Sequence, residues 1–323
     1  MTPKKATQQL TKQHNRDLVL RTIIENQRIS RADISRATKL TRATVSEVVS
    51  GLMAEGLVEE VGLDTSGNGK PSILLSLVPD SRYLIGLNLG QDKFIGAIVN
   101  LSGEIKETVE VPIVGSDGEK ALQFVYEILN QLLAKGWEPI IGIGIGTPGL
   151  VNTREGKVVD AVNLDWENLP LASLLQERYG LPVSVLNDSQ ATAIGEFVYG
   201  GHHSEGNLIV INVKHGIGAG ILINGQLFQG DDGSAGEIGH VRVHGNDLPC
   251  RCGQIGCLET LASAQAVVRR YNELSDEAQL VSLDEIEDRF VAGDGIARQV
   301  VLEAGCSLGE FIGFLSAALN IQE

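Results

Sequence analysis

LIGLNLGQDKFIGAIVNLSGEI, residues 84–105, returns in outline as LIVINVKHGIGAGILINGQLF at residues 208–228. Each copy reads as an apolar strand, a polar turn, a second strand, an Asn/Gly turn and a third strand. A repeat of this kind argues for two similar lobes with a cleft between them. The strands of the first copy are expected at Tyr83–Leu89, Phe94–Asn100 and Ile105–Pro112. A helix at Glu119–Lys135, a buried strand at Ile140–Ile145, a helix at Leu171–Tyr179, a strand at Val183–Leu186 and a helix at Gln190–Tyr199 follow. The class is α/β. Behind the second copy come helices near Glu259–Leu274, Leu283–Val291 and Ile296–Leu319, and the sequence stops at Glu323 without further strands. The second lobe is therefore expected to be incomplete at its C-terminus, with an open sheet edge.

The stretch GEIGHVRVHGNDLPCRCGQIGCLE, residues 236–259, holds three of the four cysteines, Cys250, Cys252 and Cys257, with His240 ten residues ahead of the first. Three thiolates and an imidazole form the closed tetrahedral set that suits structural Zn2+, over a loop 240–257. Buried free cysteines, or a disulfide from Cys250 or Cys252 to Cys257, are the alternatives. Glu237 and Glu259 flank the same histidine, and carboxylates with an imidazole can hydrogen-bond vicinal hydroxyls. The reading is a metal-pinned loop that holds polar side chains against a small polyol. Cys306, within a helical pattern, is expected in the core.

The chain has 323 residues, long enough for two or three domains. The N-terminus is polar and lysine-containing, with no apolar run that marks it for export. No apolar run approaches 18 residues, so no membrane partner is expected. A cytoplasmic location and reduced thiols follow, which favours metal over disulfide. The net charge is −15, yet residues 1–45 hold ten Lys/Arg against Asp17, Glu25 and Asp33. That segment is +7 and the remainder −22, so a polyanion partner is expected for the head alone.

Residues 1–14 are polar and expected to be mobile. A helix is expected over Asn15–Gln27, from Leu18, Leu20, Ile23 and Ile24 at helical spacing. Ser30 caps a short helix Arg31–Thr38, with Asp33 in capping-box position. After a turn at Lys39-Leu40, Thr41 caps a third helix running to about Glu55, stopped by Gly56. Two strand-like runs, Leu57–Val61 and Ser72–Leu77, flank GLDTSGNGKP (62–71) and make a wing. This is a winged helix-turn-helix, placed at residues 1–78. Its recognition helix would bring Thr41, Arg42, Thr44 and Ser46 to base edges of double-stranded operator DNA. Lys12, Asn15, Arg16 and Lys70 would touch phosphates. A three-helix interaction module or a winged-helix dimeriser is the competing reading.

The pair Asn187-Asp188, the stretch GSAGEIGH at 233–240 and CRCGQIGCLE at 250–259 together resemble the ROK family of bacterial sugar-responsive repressors and sugar kinases. The winged head resembles its repressor branch, and the resemblance runs from about Asn15 to Glu323. It implies an actin/hexokinase-like two-lobed domain, here residues 79–323, with a monosaccharide in the cleft. By motif, Asn187 and Asp188 would contact sugar hydroxyls, and Asp188 stands where kinase members keep the general base. Glu237, His240 and Glu259 would hold other hydroxyls, with His240 also a zinc ligand, and Gly149 would line the pocket by its backbone. The phosphate turns depart from the kinase pattern. Asn88-Leu89-Gly90-Gln91-Asp92 stands for Asp-x-Gly-Gly-Thr, and Lys214-His215-Gly216 for Gly-Thr-Gly.

A sugar-responsive DNA-binding regulator, expected to be a repressor and not an enzyme, is the reading these features support, as a homodimer or homotetramer. A sugar kinase with a DNA-binding head is the first alternative. A repressor whose sugar pocket is vestigial and whose effector is a protein is the second.

Overall fold

The computed structural model describes residues 8–64, 71–113, 118–201, 206–276 and 281–321. They fall into two compact units. One is Met1–Ile85 with Ala97–Val109 and Leu129–Gly142; the other is Gly86–Gly96 with Glu110–Ile128 and Ile143–Glu323.

The first unit opens with α1 (Gln8–Asn26), a two-residue β1 (Ile29–Ser30), α2 (Arg31–Thr38) and α3 (Arg42–Ala54). The two caps expected from sequence are made, although Asp33 does not complete a capping box: its carboxylate accepts from the Ser30 hydroxyl instead of the Ser30 amide. Ser30 Oγ accepts from the Asp33 amide at 3.2 Å, and Thr41 Oγ1 accepts from the Thr44 amide at 3.2 Å. Each satisfies an amide that the first helical turn leaves without a partner. Lys39 takes the left-handed conformation at φ 59°, which makes the turn between α2 and α3 tight. The wing strands β2 (Val58–Asp64) and β3 (Ser72–Leu77) pair antiparallel, from Val58↔Leu77 to Asp64↔Ser72. Val19, Ile23, Ile34, Val45, Val49, Leu52 and Leu75 form a closed apolar core. α1 begins at Gln8, ahead of the Asn15 expected, because its leading turns are polar and carry no apolar period.

The segment after the wing is held firmly. Arg82 donates to the Glu55 carbonyl at the end of α3 at 3.0 Å. Asp80 receives Asn100 at 2.8 Å and Lys106 at 3.0 Å.

The remaining elements are β4 (Tyr83–Leu89), β5 (Lys93–Asn100), β6 (Ile105–Pro112), α4 (Gly118–Leu133), β7 (Ile140–Thr147), β8 (Leu150–Asn152), β9 (Lys157–Ala161), β10 (Trp166–Leu169), α5 (Leu171–Tyr179), β11 (Val183–Asn187) and α6 (Asp188–Tyr199). Then come β12 (Leu208–Val213), β13 (Ile217–Ile223), β14 (Gln226–Leu227), α7 (Glu259–Ala262), α8 (Ala264–Leu274), α9 (Leu283–Ala292) and α10 (Gly295–Leu319). One sheet has the order β11-β7-β4-β5-β6, with β11 parallel to β7. A second has the order β12-β13-β14. Both sequence copies thus become three consecutive, neighbouring strands. The meander β8-β9-β10 was not expected, since its strands are only three to five residues long.

In the second unit, Ile217, Ala219 and Ile221 of β13 pack with Leu258, Val267, Tyr271, Ile286 and Val300. The single helix expected over Glu259–Leu274 is broken at Ser263, whose hydroxyl accepts from the Ala266 amide and starts α8 afresh. α10 is long and apolar enough, by length and composition, to cross a membrane, which the sequence scan did not anticipate. Its first turns bury Ala297, Val300 and Ala304 against the other helices. Cys306, expected in the core, is exposed, because it lies on α10 away from that buried stripe.

Candidate functional site

The sulfur and imidazole atoms of His240, Cys250, Cys252 and Cys257 all lie within 4.8 Å of one another, and the cysteines are free thiols. Cys250 Sγ is 3.7 Å from His240 Nδ1, and Cys252 Sγ is 3.7 Å from Cys257 Sγ. The loop that brings them together is a small knuckle. The Val243 amide donates to the Gly256 carbonyl and the Leu258 amide to the Val241 carbonyl. A tight turn from Cys250 to Gly253 then brings the buried Cys250 thiol and the exposed Cys252 thiol to the cluster. Buried Asn246 clamps the base, donating to the Cys257 carbonyl at 3.0 Å and to Thr260 Oγ1 at 2.9 Å. Nothing in the sequence singled it out.

Burial pushes the Cys257 thiol up to about 12, with further upward pressure from the Cys252 and Cys250 thiols. Three thiolates this close together repel, and only a cation among them makes that state favourable. The donor set and its compactness fit a four-coordinate soft-donor metal such as Zn2+.

Beside the cluster lies a cavity of about 450 Å³ with polar and apolar walls, and every residue lining it belongs to the second unit. Its lining includes Gly149, Asn187, Asp188, Glu237, His240 and Glu259, the six residues singled out from sequence. Gly149 has φ +88°, and a Cβ there would strike the Asp160 carbonyl and Ala161, so the turn after β7 admits only glycine. Asn187 caps α6: its Oδ1 accepts from the Ser189 amide at 2.9 Å, while its Nδ2 donates to the Gly149 carbonyl at 3.0 Å. It therefore fixes two walls of the cavity at once. Asp188, in the first turn of α6, accepts from the Ser189 amide at 2.7 Å. Burial still holds its carboxyl above the usual range, although hydrogen bonds from Ser189 and the Lys214 charge oppose the shift.

Glu237 is pushed up to about 7 by burial, then by the charges of Asp188 and Glu259. His240 joins the two halves of the site. Its Nδ1 faces Cys250, and its Nε2 lies 3.8 Å from Glu237 Oε2 in the cavity wall. A ring bound to a cation through Nδ1 carries its proton on Nε2 and so presents a donor to a ligand. Glu259 Oε2 accepts from the Ile217 amide at 3.2 Å, which orients the second oxygen. Gly216 lies against it, and a side chain there would displace that carboxylate.

Asn88, Gly90, Gln91, Lys214 and His215 line the same cavity, whereas Asp92 is not part of its lining. Asp160, Val162, Asn163 and Arg251 also line it, and none was anticipated. The first three sit on or just beyond the short β9, where no motif marks them. A second cavity of about 960 Å³ shares Lys214 and His215 but is walled mainly by apolar groups such as Val213, Val268 and Leu283. Polar side chains border it but most of its surface is apolar, so the smaller cavity is the better place for chemistry with hydroxyls.

In the head, Thr41, Arg42 and Ser46 are exposed and Thr44 is half-buried, while Val45 and Val49 face the core. Lys12 lies 3.9 Å from Glu47. Arg16 makes a bidentate pair with Glu55, two bonds of 2.7 Å that tie α1 to the end of α3. Lys70, read from sequence as the wing-tip contact, lies outside the described residues.

Residues 84–323 match the ROK family, and residues 16–59 match a winged helix-turn-helix DNA-binding family. The chain is 37% identical over 292 residues to a xylose repressor of Caldicellulosiruptor bescii, covering 89% of this chain and 71% of that repressor. It is 33% identical to a glucokinase of Halalkalibacterium halodurans over 74% of this chain and 78% of the kinase. Among solved structures, a ROK family transcriptional regulator, a homologue of the E. coli MLC protein, superposes with a TM-score of 0.80 at 29% identity. That match covers 94% of this chain and 80% of the regulator. A winged head, the two-copy strand pattern, the Asn187-Asp188 corner and the Cys/His knuckle are thus found in one molecule, and the chain belongs to the ROK family.

Proposed function

We propose that this chain is a sugar-responsive transcriptional regulator, a repressor, that binds operator DNA through residues 1–78 and a monosaccharide through residues 79–323. One observation carries the reading: a winged head with an exposed polar recognition face shares its chain with a cavity walled by hydroxyl-binding groups. The similarity to a xylose repressor supports it, and D-xylose is the first sugar to test. Thr41, Arg42, Thr44 and Ser46 would read bases. Lys70 would meet phosphate, and Arg16 would do so by sharing or releasing Glu55. Gly149, Asn187, Asp188, Glu237, His240 and Glu259 would hold the sugar. Its effect on DNA would come from unequal affinity for two conformations.

Zn2+ held by His240, Cys250, Cys252 and Cys257 would supply the charge that keeps the thiols ionised. His240 would then be fixed with Nε2 toward the sugar. Asp188 and the glucokinase relative favour a second reading, a sugar kinase with a DNA-binding head. Against it, Gln91, Lys214 and His215 replace the small residues whose backbone amides would approach phosphates. We also place the protein in the cytoplasm as a dimer or tetramer, off the membrane. Glu303 and Glu310 within α10, and its packing on the other helices, support the last point.

Fluorescence anisotropy with labelled promoter DNA tests the reading. Sugar-free protein should bind, and a monosaccharide should shift the affinity. DNA affinity indifferent to every sugar would contradict it.

A further inference from the structure

Arg251 stands between two members of the sulfur cluster, yet its side chain turns to the cavity. Its Nη1 donates to Asn163 Oδ1 at 3.2 Å, and its Nη2 lies 3.6 Å from Glu259 Oε1. Asn163 follows β9 and Glu259 begins α7, so the guanidinium sits in the cavity lining between residues of two separate elements. The Glu259 side chain is only 13% exposed, and its other oxygen is held by the Ile217 amide. Arg251 is half exposed and retains donors beyond the one given to Asn163.

A separation of 3.6 Å is too long for a direct hydrogen bond. It leaves a carboxylate oxygen seeking a donor next to a guanidinium seeking an acceptor. A hydroxyl is the group that satisfies both, since it donates one hydrogen and accepts through its lone pairs. A methylene satisfies neither.

We propose that Arg251 is a specificity-determining residue that reads one effector hydroxyl jointly with Glu259. The carboxylate accepts the hydroxyl proton while the guanidinium donates to its oxygen. The assignment rests on the cavity being the monosaccharide site. It adds the demand that one hydroxyl be read as donor and acceptor at once. The turn that carries Arg251 is closed by backbone hydrogen bonds, Cys250 amide to Gln254 carbonyl and Gly253 amide to Cys250 carbonyl, so loss of the side chain changes selectivity without moving the loop.

Isothermal titration tests this with D-xylose, D-glucose and N-acetyl-D-glucosamine, then with the monodeoxy analogues of whichever binds tightest. The parent should lose roughly tenfold or more for deoxygenation at one position, as expected for a hydrogen bond to charged groups. In Arg251→Met that position should lose its special weight, with metal content unchanged. Arg251→Lys, which keeps a donor but not the fork, should restore part of the discrimination, and it replaces Arg251→Met as the test if that variant loses metal. An unaltered deoxy profile in both variants, or an equal loss at all positions, overturns the assignment. Failure of the parent to bind these three or any other monosaccharide overturns the monosaccharide reading, and this assignment with it.

Discussion

The two sides of the 450 Å³ cavity differ in how they are built. On one side, Asn187, Asp188, His240 and Glu259 are each oriented by a partner: the Ser189 amide, the Gly149 carbonyl, the Ile217 amide or the neighbouring cluster. On the other side, the turns after β4 and β12 offer Gln91, Lys214 and His215, side chains where a phosphate cradle would need bare backbone. A site that only binds a sugar needs the first side alone. A site that transfers phosphate needs both. The contrast can be broken or sharpened one residue at a time.

The largest effect should come from the cluster that props the first side. Cys252→Ser should lower metal content from about one ion per chain to none, because structural sites of this kind need all four donors. Sugar affinity should fall with it as Glu237 and His240 lose their support. Metal analysis beside calorimetry checks both, and a metal-free variant that binds sugar as the parent does would separate the cluster from the cavity.

Next comes Asp188→Asn, which removes a charged acceptor but keeps the shape. Sugar affinity should drop by roughly 1.5–3 kcal/mol, with sugar-free DNA binding untouched. Arg42→Ala should weaken operator binding by roughly 1–3 kcal/mol while binding to random DNA changes less. Equal losses on both DNAs would shift the reading register along α3.

The smallest effect is in pH. Asp188 is raised in the folded chain by burial. Below its unfolded pKa both states are protonated. As pH rises, the unfolded chain ionises first, so stability is lost until the folded pKa is passed. The parent should therefore lose thermal stability as pH rises above about 4 more steeply than Asp188→Asn. Parallel curves would mean that the carboxyl is well solvated.

Much of this was legible in the sequence, because the signals were local. Ser30 and Thr41 announced helix starts, alternating apolar residues announced β4 and β12, and the cysteine spacing announced the knuckle. What escaped was set by tertiary contact. β8, β9 and β10 are too short to show a period, so Asp160, Val162 and Asn163 carried no signal. Asn246 matters only because its amide meets Cys257 and Thr260 in the interior. Arg251 lies between two cysteines in the sequence, and only the folded chain brings it to Asn163. The apolar period at Glu259–Leu274 concealed the restart at Ser263, since capping competes with helix continuation without altering the pattern.

The most direct test of the central claim is anisotropy of promoter DNA titrated with the protein, repeated with D-xylose and the other monosaccharides, with and without ATP, while sugar phosphate is assayed in the same samples. The account predicts that one sugar alone shifts the DNA affinity, that ATP adds nothing, and that no sugar phosphate forms. DNA affinity unmoved by any sugar, with sugar phosphate accumulating when ATP is present, would contradict it.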